Sequence, residues 1–355
     1  MKVLITGICG FAGAMLAHDL RAHLPDLEIS GLDNLSRPGS ETNRAPLLKS
    51  GIRIFHGDLR LPSDLENFQA VDWVIDAAAN PSVQAGIDGK SSSRQLVEHN
   101  LFGTINLVEY CRRTGAGLIL LSTSRVYSIQ SLAALPLRRE RLRFALDDAQ
   151  PLAPGISARG IREEFSTDPP ISLYGSTKLA SEQIALEYGG TFSFPVWINR
   201  CGVMAGPGQF GTAEQGIFSY WIHAWRARRP LRYLGFEGSG CQVRDALHPS
   251  DLVPLLLAQM RKPSAPAPRV TNLGGGSANS MSLAELSAWC AQRFGPHTVE
   301  PDGRPRRFDI PWTVMDNTRA EKFWEWKPRR GLHAVIEEIA VHAEKNPGWL
   351  ELTGS

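Results

Sequence analysis

Three glycines near the start of the chain limit its possible folds more than any other feature. The apolar run Val3-Leu4-Ile5 leads into Thr6-Gly7-Ile8-Cys9-Gly10-Phe11-Ala12-Gly13, and a helical pattern follows over residues 11–24. This spacing allows a tight turn, close approach of the backbone to a pyrophosphate, and close packing of helix on strand. The helix N-terminus then attracts the phosphates. The motif therefore predicts a dinucleotide site that includes Gly7, Gly10, Phe11, Ala12 and Gly13.

An acidic residue follows this motif where a dinucleotide site needs one. Such sites carry it about 20 residues further on, where it binds the ribose hydroxyls. Asp33 stands there and would repel a 2′-phosphate, which favours NAD over NADP, although the nearby Arg37 weakens that preference. The alternative interpretation of Asp33 is a residue of a surface turn. The carboxyl ends of two later predicted strands, before Asp58 and at Ala77, point into the same crevice. We expect the rest of the NAD site to include Asp33, Asn34, Arg37, Asp58, Leu59, Ala77, Ala78 and Ala79.

Short apolar runs alternate with helical patterns through the first half of the chain. This alternation predicts an α/β fold, with a doubly wound parallel sheet of the Rossmann type and a smaller C-terminal substrate-binding lobe. The predicted limits are 1–199 and about 245–270 for the NAD-binding domain, and about 200–244 and 271–355 for the substrate lobe. The proline-containing stretch between Tyr127 and Tyr174 is expected to be an irregular insertion near the site.

The segment Tyr174-Gly175-Ser176-Thr177-Lys178 gives the most specific indication of chemistry. Tyr174 and Lys178 are four residues apart and share one face of a helix predicted over residues 172–188. A phenol is a poor base at neutral pH, but a nearby ammonium group and an oxidised nicotinamide would favour its phenolate. The phenolate could then take a proton from a substrate hydroxyl as hydride leaves the carbon. A hydroxyl from residues 122–124 could bridge the substrate and the phenol.

Charge and composition argue against several other classes of protein. Basic side chains number 38 and acidic ones 36, so a net charge of +2 does not indicate nucleic-acid binding. The five cysteines lack metal-ligand spacing, which predicts free thiols and no metal. No apolar run approaches the roughly 18 residues of a membrane span. The N-terminus also lacks a signal-peptide pattern, so we expect a cytoplasmic protein without membrane contact.

The glycine motif and the Tyr174/Lys178 pair together resemble the extended short-chain dehydrogenase/reductase family of nucleotide-sugar epimerases and dehydratases. The resemblance extends over nearly the whole chain. It implies NAD as cofactor, a nucleotide-sugar substrate, and a homodimer formed through the helices predicted over residues 92–113 and 172–188. It assigns the hydroxyl role to Thr123, beside Tyr174 and Lys178, and it adds Asn100, Tyr174, Lys178 and Arg200 to the cofactor site.

The same resemblance implies a substrate site made of Ser124, Arg125, Gln209, Arg244 and Arg306. Arg244 and Arg306 match arginines that hold the nucleotide pyrophosphate, which suits the forked donors of guanidinium; surface ion pairs are the alternative. The 4,6-dehydratases of the family carry an Asp-Glu pair directly after the threonine, where they eliminate water. Ser124 and Arg125 stand at these positions here, which argues for epimerisation.

Three segments, at residues 33–37, 209–216 and 242–245, bring the chain closest to family members that act on carbon 2 of a CDP-linked deoxysugar. This resemblance implies carbon-2 epimerisation through a transient keto intermediate. A nucleotide-sugar 4-epimerase and a 4,6-dehydratase are the alternatives within the family. The alternative from another class is a catalytically silent NAD-sensing protein.

Overall fold

A parallel sheet forms the centre of the molecule. The computed structural model describes residues 1–66, 68–87, 89, 92–147 and 149–354. The strands in these residues are β1 (Lys2–Thr6), β2 (Glu28–Asp33), β3 (Arg53–His56), β4 (Trp73–Asp76), β5 (Gly117–Thr123), β6 (Leu137–Glu140), β7 (Arg143–Leu146), β8 (Ile156–Ser157), β9 (Gly160–Ile161), β10 (Val196–Cys201), β11 (Val203–Met204), β12 (Leu231–Leu234), β13 (Val243–Leu247), β14 (Val270–Leu273), β15 (Ser280–Ser282), β16 (Val299–Asp302) and β17 (Trp312–Thr313). The α-helices are α1 (Phe11–His23), α2 (Arg44–Lys49), α3 (Ser63–Glu66), α4 (Ser93–Val97), α5 (Gly103–Thr114), α6 (Ile129–Ala133), α7 (Ser172–Phe192), α8 (Ile217–Arg226), α9 (Val253–Arg261), α10 (Leu283–Phe294), α11 (Thr318–Trp324), α12 (Leu332–Lys345) and α13 (Trp349–Leu352).

Seven strands pair in the order β14-β10-β5-β4-β1-β2-β3, and every neighbouring pair is parallel. Thr6 at the end of β1 lies beside Leu32 of β2 and Asp76 of β4, and Cys201 lies beside Thr123. The carboxyl ends of these strands therefore meet along one edge, where ligands of such sheets bind. The predicted Rossmann-type sheet is confirmed.

Helices cover both faces of the main sheet, which explains the continuous apolar runs in its strands. Val3 and Ile5 pack into one core with residues of α1 and α9, whereas Leu4 packs into the opposite core with residues of α5 and α7. These three side chains of β1 are fully buried. A parallel sheet covered on both faces requires such strands.

The smaller lobe has its own sheet and its own core. Strand β13 pairs with β11, β15 and β17, and buried side chains of α8, α10 and α12 form the core. The chain leaves this lobe to form α9 and β14, which belong to the core and the edge of the main sheet. The predicted domain limits stay a prediction; β14 extends the main sheet to Leu273, just past the limit near residue 270.

The helix predicted over residues 92–113 contains an irregular turn that bears on the site. Ser92 and Gln95 exchange side-chain and backbone hydrogen bonds in a capping box, so α4 begins at Ser93. Between α4 and α5 the backbone forms a π-helical turn over Glu98–Phe102. Such turns are frequent at functional sites. This one carries Asn100.

The expectation of an irregular segment between Tyr127 and Tyr174 was wrong in part. The segment forms the short helix α6 and two hairpins, β6–β7 and β8–β9. Each hairpin is also tied to the smaller lobe: the Phe144 amide donates to the Cys241 carbonyl at 2.9 Å, and the Ile161 amide donates to the Val314 carbonyl at 2.8 Å. Their strands have only two or four residues, too few for a periodic pattern to stand out among charges and prolines.

None of the described helices combines the length and the apolar character that crossing a membrane requires. The five cysteines are free and buried. Over the described part of the chain, no three histidine, cysteine or acidic side chains gather in a way that could hold a metal ion.

Candidate active site

A cavity of about 690 Å³ opens at the carboxyl edge of the main sheet and is also lined by residues of the smaller lobe. It brings most of the predicted site residues together. Those in its wall are Gly7, Gly10, Phe11, Ala12, Asp33, Asn34, Arg37, Asp58, Leu59, Ala77, Ala78, Ala79, Thr123, Ser124, Arg125, Tyr174, Lys178, Gln209, Arg244 and Arg306. Gly13, Asn100 and Arg200 are not part of the wall.

The glycine turn has no room for side chains beside the cavity. Gly7 has a φ of +61°, and a Cβ atom on it would lie 2.9 Å from the Cα of Ala78. The Gly10 amide donates to the Gly7 carbonyl at 2.9 Å and closes the turn before α1. A Cβ on Gly13 would lie 2.2 Å from the Gly7 oxygen, so Gly13 lets α1 pack against the turn. This cradle fits a pyrophosphate at the N-terminus of α1.

We expect Gly13→Ala to lower the free energy of unfolding by about 1–3 kcal/mol and to weaken NAD binding, because the added methyl group would push α1 away from the turn. Urea unfolding and equilibrium titration with NAD measure the two effects. Gly190→Ala is the matched control, because Gly190 also lies in a helix but a Cβ atom on it would meet no neighbouring atom within 4 Å. That control should keep or slightly raise stability. Wild-type NAD affinity in Gly13→Ala would contradict the close-packing role.

Backbone donors fix Asp33 at the end of β2. The Cys9 amide donates to its Oδ2 and the Leu35 amide to its Oδ1, each at 2.8 Å. Burial raises the pKa of Asp33, and the hydrogen bonds from Leu35 and Cys9 oppose that rise. Each carboxylate oxygen has a second lone pair, so Asp33 can still accept hydrogen bonds from a ribose diol. The position beside the glycine turn fits the expected role at NAD.

Arg37 connects the cofactor side of the cavity to the smaller lobe. Its Nη2 donates to the Phe210 carbonyl at 2.5 Å, and its Nη1 donates to Gln215 Oε1 at 3.2 Å. Burial lowers the pKa of Arg37. The guanidinium therefore has two acceptors in the smaller lobe, and its predicted role at the cofactor stays a prediction.

Asp58 and Asn34 form the adjoining part of the wall. Asn34 Nδ2 donates to Asp58 Oδ2 at 3.0 Å, and Arg60 pairs with the same oxygen at 2.6 Å. The hydrogen bond from Arg60 lowers the pKa of Asp58, so the carboxylate stays charged. His99 also lines the cavity, and burial lowers its pKa. His99 was not among the predicted site residues, because no sequence motif includes it.

Asn100 acts within the protein, one layer behind the cavity wall. Its Oδ1 accepts the Asn80 amide at 2.8 Å, and its Nδ2 donates to the Thr177 hydroxyl at 3.1 Å. The amide therefore ties the loop after β4 to the helix α7 that carries Tyr174. Asn100 does not line the cavity, and its predicted role at the cofactor stays a prediction.

Arg200, also predicted at the cofactor, forms a buried ion pair and does not line the cavity. Its guanidinium pairs with the Glu182 carboxylate at 2.7 Å, and the two side chains are 7% and 0% exposed. It also donates to the Tyr127 hydroxyl at 3.3 Å, and Glu182 accepts a short hydrogen bond from Ser122. The structure does not bring Arg200 to the cavity, because these buried acceptors hold it between β10 and α7.

Thr123, Tyr174 and Lys178 all reach the cavity. Thr123 ends β5, and its hydroxyl accepts the Arg125 amide at 3.1 Å. Burial raises the pKa of Tyr174 to about 12, while a hydrogen bond with Thr123 and the charge of Arg125 act to lower it. Lys178 lies one turn further along α7 and is 2% exposed. Burial raises the pKa of the Cys201 thiol to about 12, and the charge of Lys178 acts to lower it.

Three arginines and one carboxylate form a second cluster in the wall, which we call the arginine cluster: Arg125, Arg244, Arg306 and Asp309. Arg244 pairs with Asp309 at 3.5 Å, and Arg125 donates to the Phe308 carbonyl at 3.2 Å. Burial and the neighbouring charge of Arg244 lower the pKa of Arg125 to about 10. With one carboxylate for three guanidinium groups, the cluster carries an excess of two positive charges, which matches the two negative charges of a pyrophosphate diester.

Ser124 and Gln209 complete the predicted substrate residues. Ser124 is 5% exposed at the start of a 3₁₀ turn, and Gln209 is 8% exposed. Gln209 Nε2 donates to the Met204 carbonyl at 2.8 Å, and its Oε1 is buried without a partner among the described residues. The cavity also has a largely apolar end, which was not predicted because its residues belong to no sequence motif. This end is lined by Phe218, Trp221, Leu231, Leu283 and Leu286.

A parallel sheet with a glycine turn, a fixed acidic residue after β2 and a Tyr/Lys pair in the same cavity define a dinucleotide-dependent enzyme. Residues 3–274 match the family model described as the NAD dependent epimerase/dehydratase family, and the chain belongs to this family. Its cofactor is NAD, and the cradle at Gly7 and the carboxylate of Asp33 fit that group.

Two curated relatives match most of the chain. It is 30% identical over 299 residues to a CDP-paratose 2-epimerase of Salmonella typhi, and the match covers 81% of this chain and 82% of that protein. It is 24% identical over 356 residues to a UDP-glucuronate 4-epimerase of Thermodesulfobacterium geofontis, and that match covers 97% and 96%. A crystal structure of UDP-glucuronic acid 4-epimerase from Bacillus cereus, in complex with UDP-glucuronic acid and NAD, has the same fold. Its TM-score is 0.75 at 22% identity, and the match covers 97% of this chain and 99% of that one.

Proposed function

We propose that this enzyme is an epimerase of a nucleotide-linked sugar that works through a transient keto intermediate. One observation carries the proposal: the Tyr174 phenol and the arginine cluster line the same cavity. Epimerisation of a nucleotide sugar requires both a proton acceptor near the sugar and cations near the pyrophosphate. We assign the pyrophosphate to Arg244 and Arg306, because guanidinium groups bind phosphate oxygens in a bidentate manner.

The residues of the chain handle the proton of the reaction. NAD, held at the glycine turn and at Asp33, would supply hydride transfer from and back to the sugar carbon. The Tyr174 phenolate takes the proton of the hydroxyl on that carbon, and Thr123 holds the phenol and the hydroxyl together. After the keto sugar has turned its other face, the Tyr174 phenol returns the proton to the oxygen. Every atom removed is restored, so the product is an isomer and no net oxidation occurs.

The residues after Thr123 favour epimerisation over dehydration. Loss of water needs an acid to protonate the leaving hydroxyl and a base to take a proton from carbon. Ser124 and Arg125 occupy the positions where the dehydratases carry their Asp-Glu pair. A serine hydroxyl is a weak acid and a guanidinium stays protonated in proteins, so neither group can serve these roles at neutral pH.

We further propose carbon 2 of a CDP-linked deoxysugar as the reacting centre. The support is the 30% identity to a CDP-paratose 2-epimerase and the three segments of the sequence that resemble such enzymes. These segments supply Asp33, Arg37, Gln209 and Arg244 to the cavity wall. A 4-epimerase is the second candidate, supported by the match to a UDP-glucuronate 4-epimerase over nearly the full length of both chains.

Proton NMR of CDP-, UDP- and dTDP-sugars, each incubated with the protein and no added cofactor, tests both proposals. We expect a new anomeric signal with a changed coupling to the neighbouring proton, because inversion at carbon 2 alters that dihedral angle. A new signal with an unchanged coupling would move the reaction to another carbon. A 4-keto product would mean dehydration, and tight NAD binding without turnover of any sugar would favour the NAD-sensing alternative.

We also propose a cytoplasmic homodimer, formed through the helical segment that contains α4 and α5 and through α7. These helices present three exposed apolar side chains, Phe102, Leu173 and Phe192, which are 39–50% exposed. A contact between two copies would remove such side chains from water.

A further inference from the structure

Three segments that are distant in the sequence meet beside the cavity wall. The Phe210 ring lies against Gly39, in the turn that follows β2: a Cβ atom on Gly39 would lie 3.2 Å from that ring and 3.1 Å from Thr353, the residue after α13. Gly39 has a φ of +89°, so glycine permits this close approach. Arg37 of the same turn donates to the Phe210 carbonyl at 2.5 Å. The last residues of the chain therefore pack where the cofactor side of the cavity meets the smaller lobe.

Trp349, the first residue of α13, makes two different contacts with this junction. Its Nε1 donates to the Gln209 carbonyl at 2.9 Å, and its ring stacks on Phe210 with the ring centroids 5.7 Å apart and the planes inclined by 22°. His342 of α12 packs edge-on against the same indole at 4.7 Å. Gln209 and Phe210 line the cavity, whereas the buried Trp349 does not. The tryptophan therefore acts on the cavity only through these two residues.

We propose that Trp349 is a positioning residue: it fixes Gln209 and Phe210 in the cavity wall, and through the Phe210 carbonyl it holds Arg37 in place. The hydrogen bond orients the backbone of this segment and the stacking orients its aromatic ring, so the two contacts together leave one arrangement. The effect on sugar binding rests on the proposed epimerase function, because Gln209 is a predicted substrate residue. The effect on NAD binding does not depend on that function.

Trp349→Phe keeps an aromatic ring against Phe210 but removes the donor to Gln209. We expect it to raise the KM for the nucleotide sugar and the Kd of NAD, each about fivefold, because the loss of one buried neutral hydrogen bond has an effect of this size. The kcat should stay close to wild type, since Tyr174 is held by α7 in the main-sheet lobe. The Gln209 carbonyl keeps the Ser219 hydroxyl as a donor at 3.2 Å, so the variant should fold. Trp349→Ala also removes the stacking and should raise both constants further.

Trp225→Phe is the matched control for this variant. Trp225 is another buried tryptophan of the smaller lobe, and its Nε1 donates to the Gly295 carbonyl at 3.0 Å. Neither Trp225 nor Gly295 lines the cavity. The substitution removes the same kind of hydrogen bond, so it should lower the free energy of unfolding to a similar degree while KM and the Kd of NAD stay at their wild-type values.

Two readouts that do not depend on turnover keep this test separate from the proposed function: equilibrium titration with NAD, and amide hydrogen exchange followed by mass spectrometry. The Gly211 amide donates to the Gln209 carbonyl at 2.9 Å, so a peptide that covers residues 209–216 should exchange faster in Trp349→Phe and at the wild-type rate in Trp225→Phe.

Three outcomes would overturn the proposal. They are unchanged exchange and NAD affinity in Trp349→Phe, equal effects of Trp349→Phe and Trp225→Phe, and a fall in kcat with KM unchanged. Inactivity of the wild type on every nucleotide sugar, combined with faster exchange and weaker NAD binding in Trp349→Phe, would refute the epimerase function but not the role of Trp349.

Discussion

Tyr174→Phe is expected to lower kcat about a thousandfold while NAD stays bound. The substitution removes one oxygen atom, and with it the only group in the proposed mechanism that accepts and returns the substrate proton. The ring itself packs against Val83, Ala85 and Leu96, so phenylalanine should preserve the fold. Proton NMR on the active nucleotide sugar measures turnover, and the absorbance of cofactor released on denaturation measures NAD content.

Tyr188→Phe provides the matched control for this prediction. Tyr188 lies on the same helix, but its hydroxyl donates to Glu109 at 2.8 Å, near the surface and outside the cavity wall. Its loss should leave kcat and NAD content close to wild type. Full activity of Tyr174→Phe would refute the assignment of the base, and loss of NAD from that variant would mean that the phenol also holds the cofactor.

Arg200→Leu is expected to lower the free energy of unfolding by about 3–5 kcal/mol, because it leaves the Glu182 carboxylate buried without its cation. The Glu182 side chain is 0% exposed, so water cannot replace the guanidinium. Urea unfolding followed by circular dichroism measures the change.

Two further variants test whether the lost partner causes this destabilisation. The double variant Arg200→Leu with Glu182→Leu should recover most of the stability, because no unpaired charge remains. Arg293→Ala removes an arginine from ion pairs with Glu337 and Glu344, whose side chains are 30–46% exposed, and should change stability by less than about 1 kcal/mol. A small effect of Arg200→Leu, combined with a large loss of NAD affinity, would return Arg200 to the cofactor site.

The features that could be predicted well from the sequence are local ones. The glycine turn, Asp33 and the Tyr174/Lys178 pair each depend on spacing within one strand–turn–helix unit or one helix, so their geometry follows from the chain itself. Contacts between distant segments were harder to predict. Arg200 pairs with Glu182 instead of reaching the cavity, and Asn100 lies in a π-helical turn that no residue pattern predicts.

The arginine cluster illustrates the same limit inside the site. Resemblance supplied Arg125, Arg244 and Arg306 as separate substrate residues. Their meeting depends on how the turn after β5, the strand β13 and the 306–309 segment pack together. The excess of positive charge in this cluster is a property of that packing, and it emerges only when burial and partners are known for all four side chains.

The route of the chain between its two lobes has a consequence for dissecting the molecule. After forming β17 in the smaller lobe, the chain returns to the main core, where Trp324 packs edge-on against Trp197 at 5.0 Å and Trp326 donates to the Asp251 carbonyl at 2.6 Å. It then leaves again to form α12. Each lobe is thus interleaved with the other along the sequence. No single truncation can release an intact main-sheet lobe, and exchange of the smaller lobe between relatives would need several coordinated junctions.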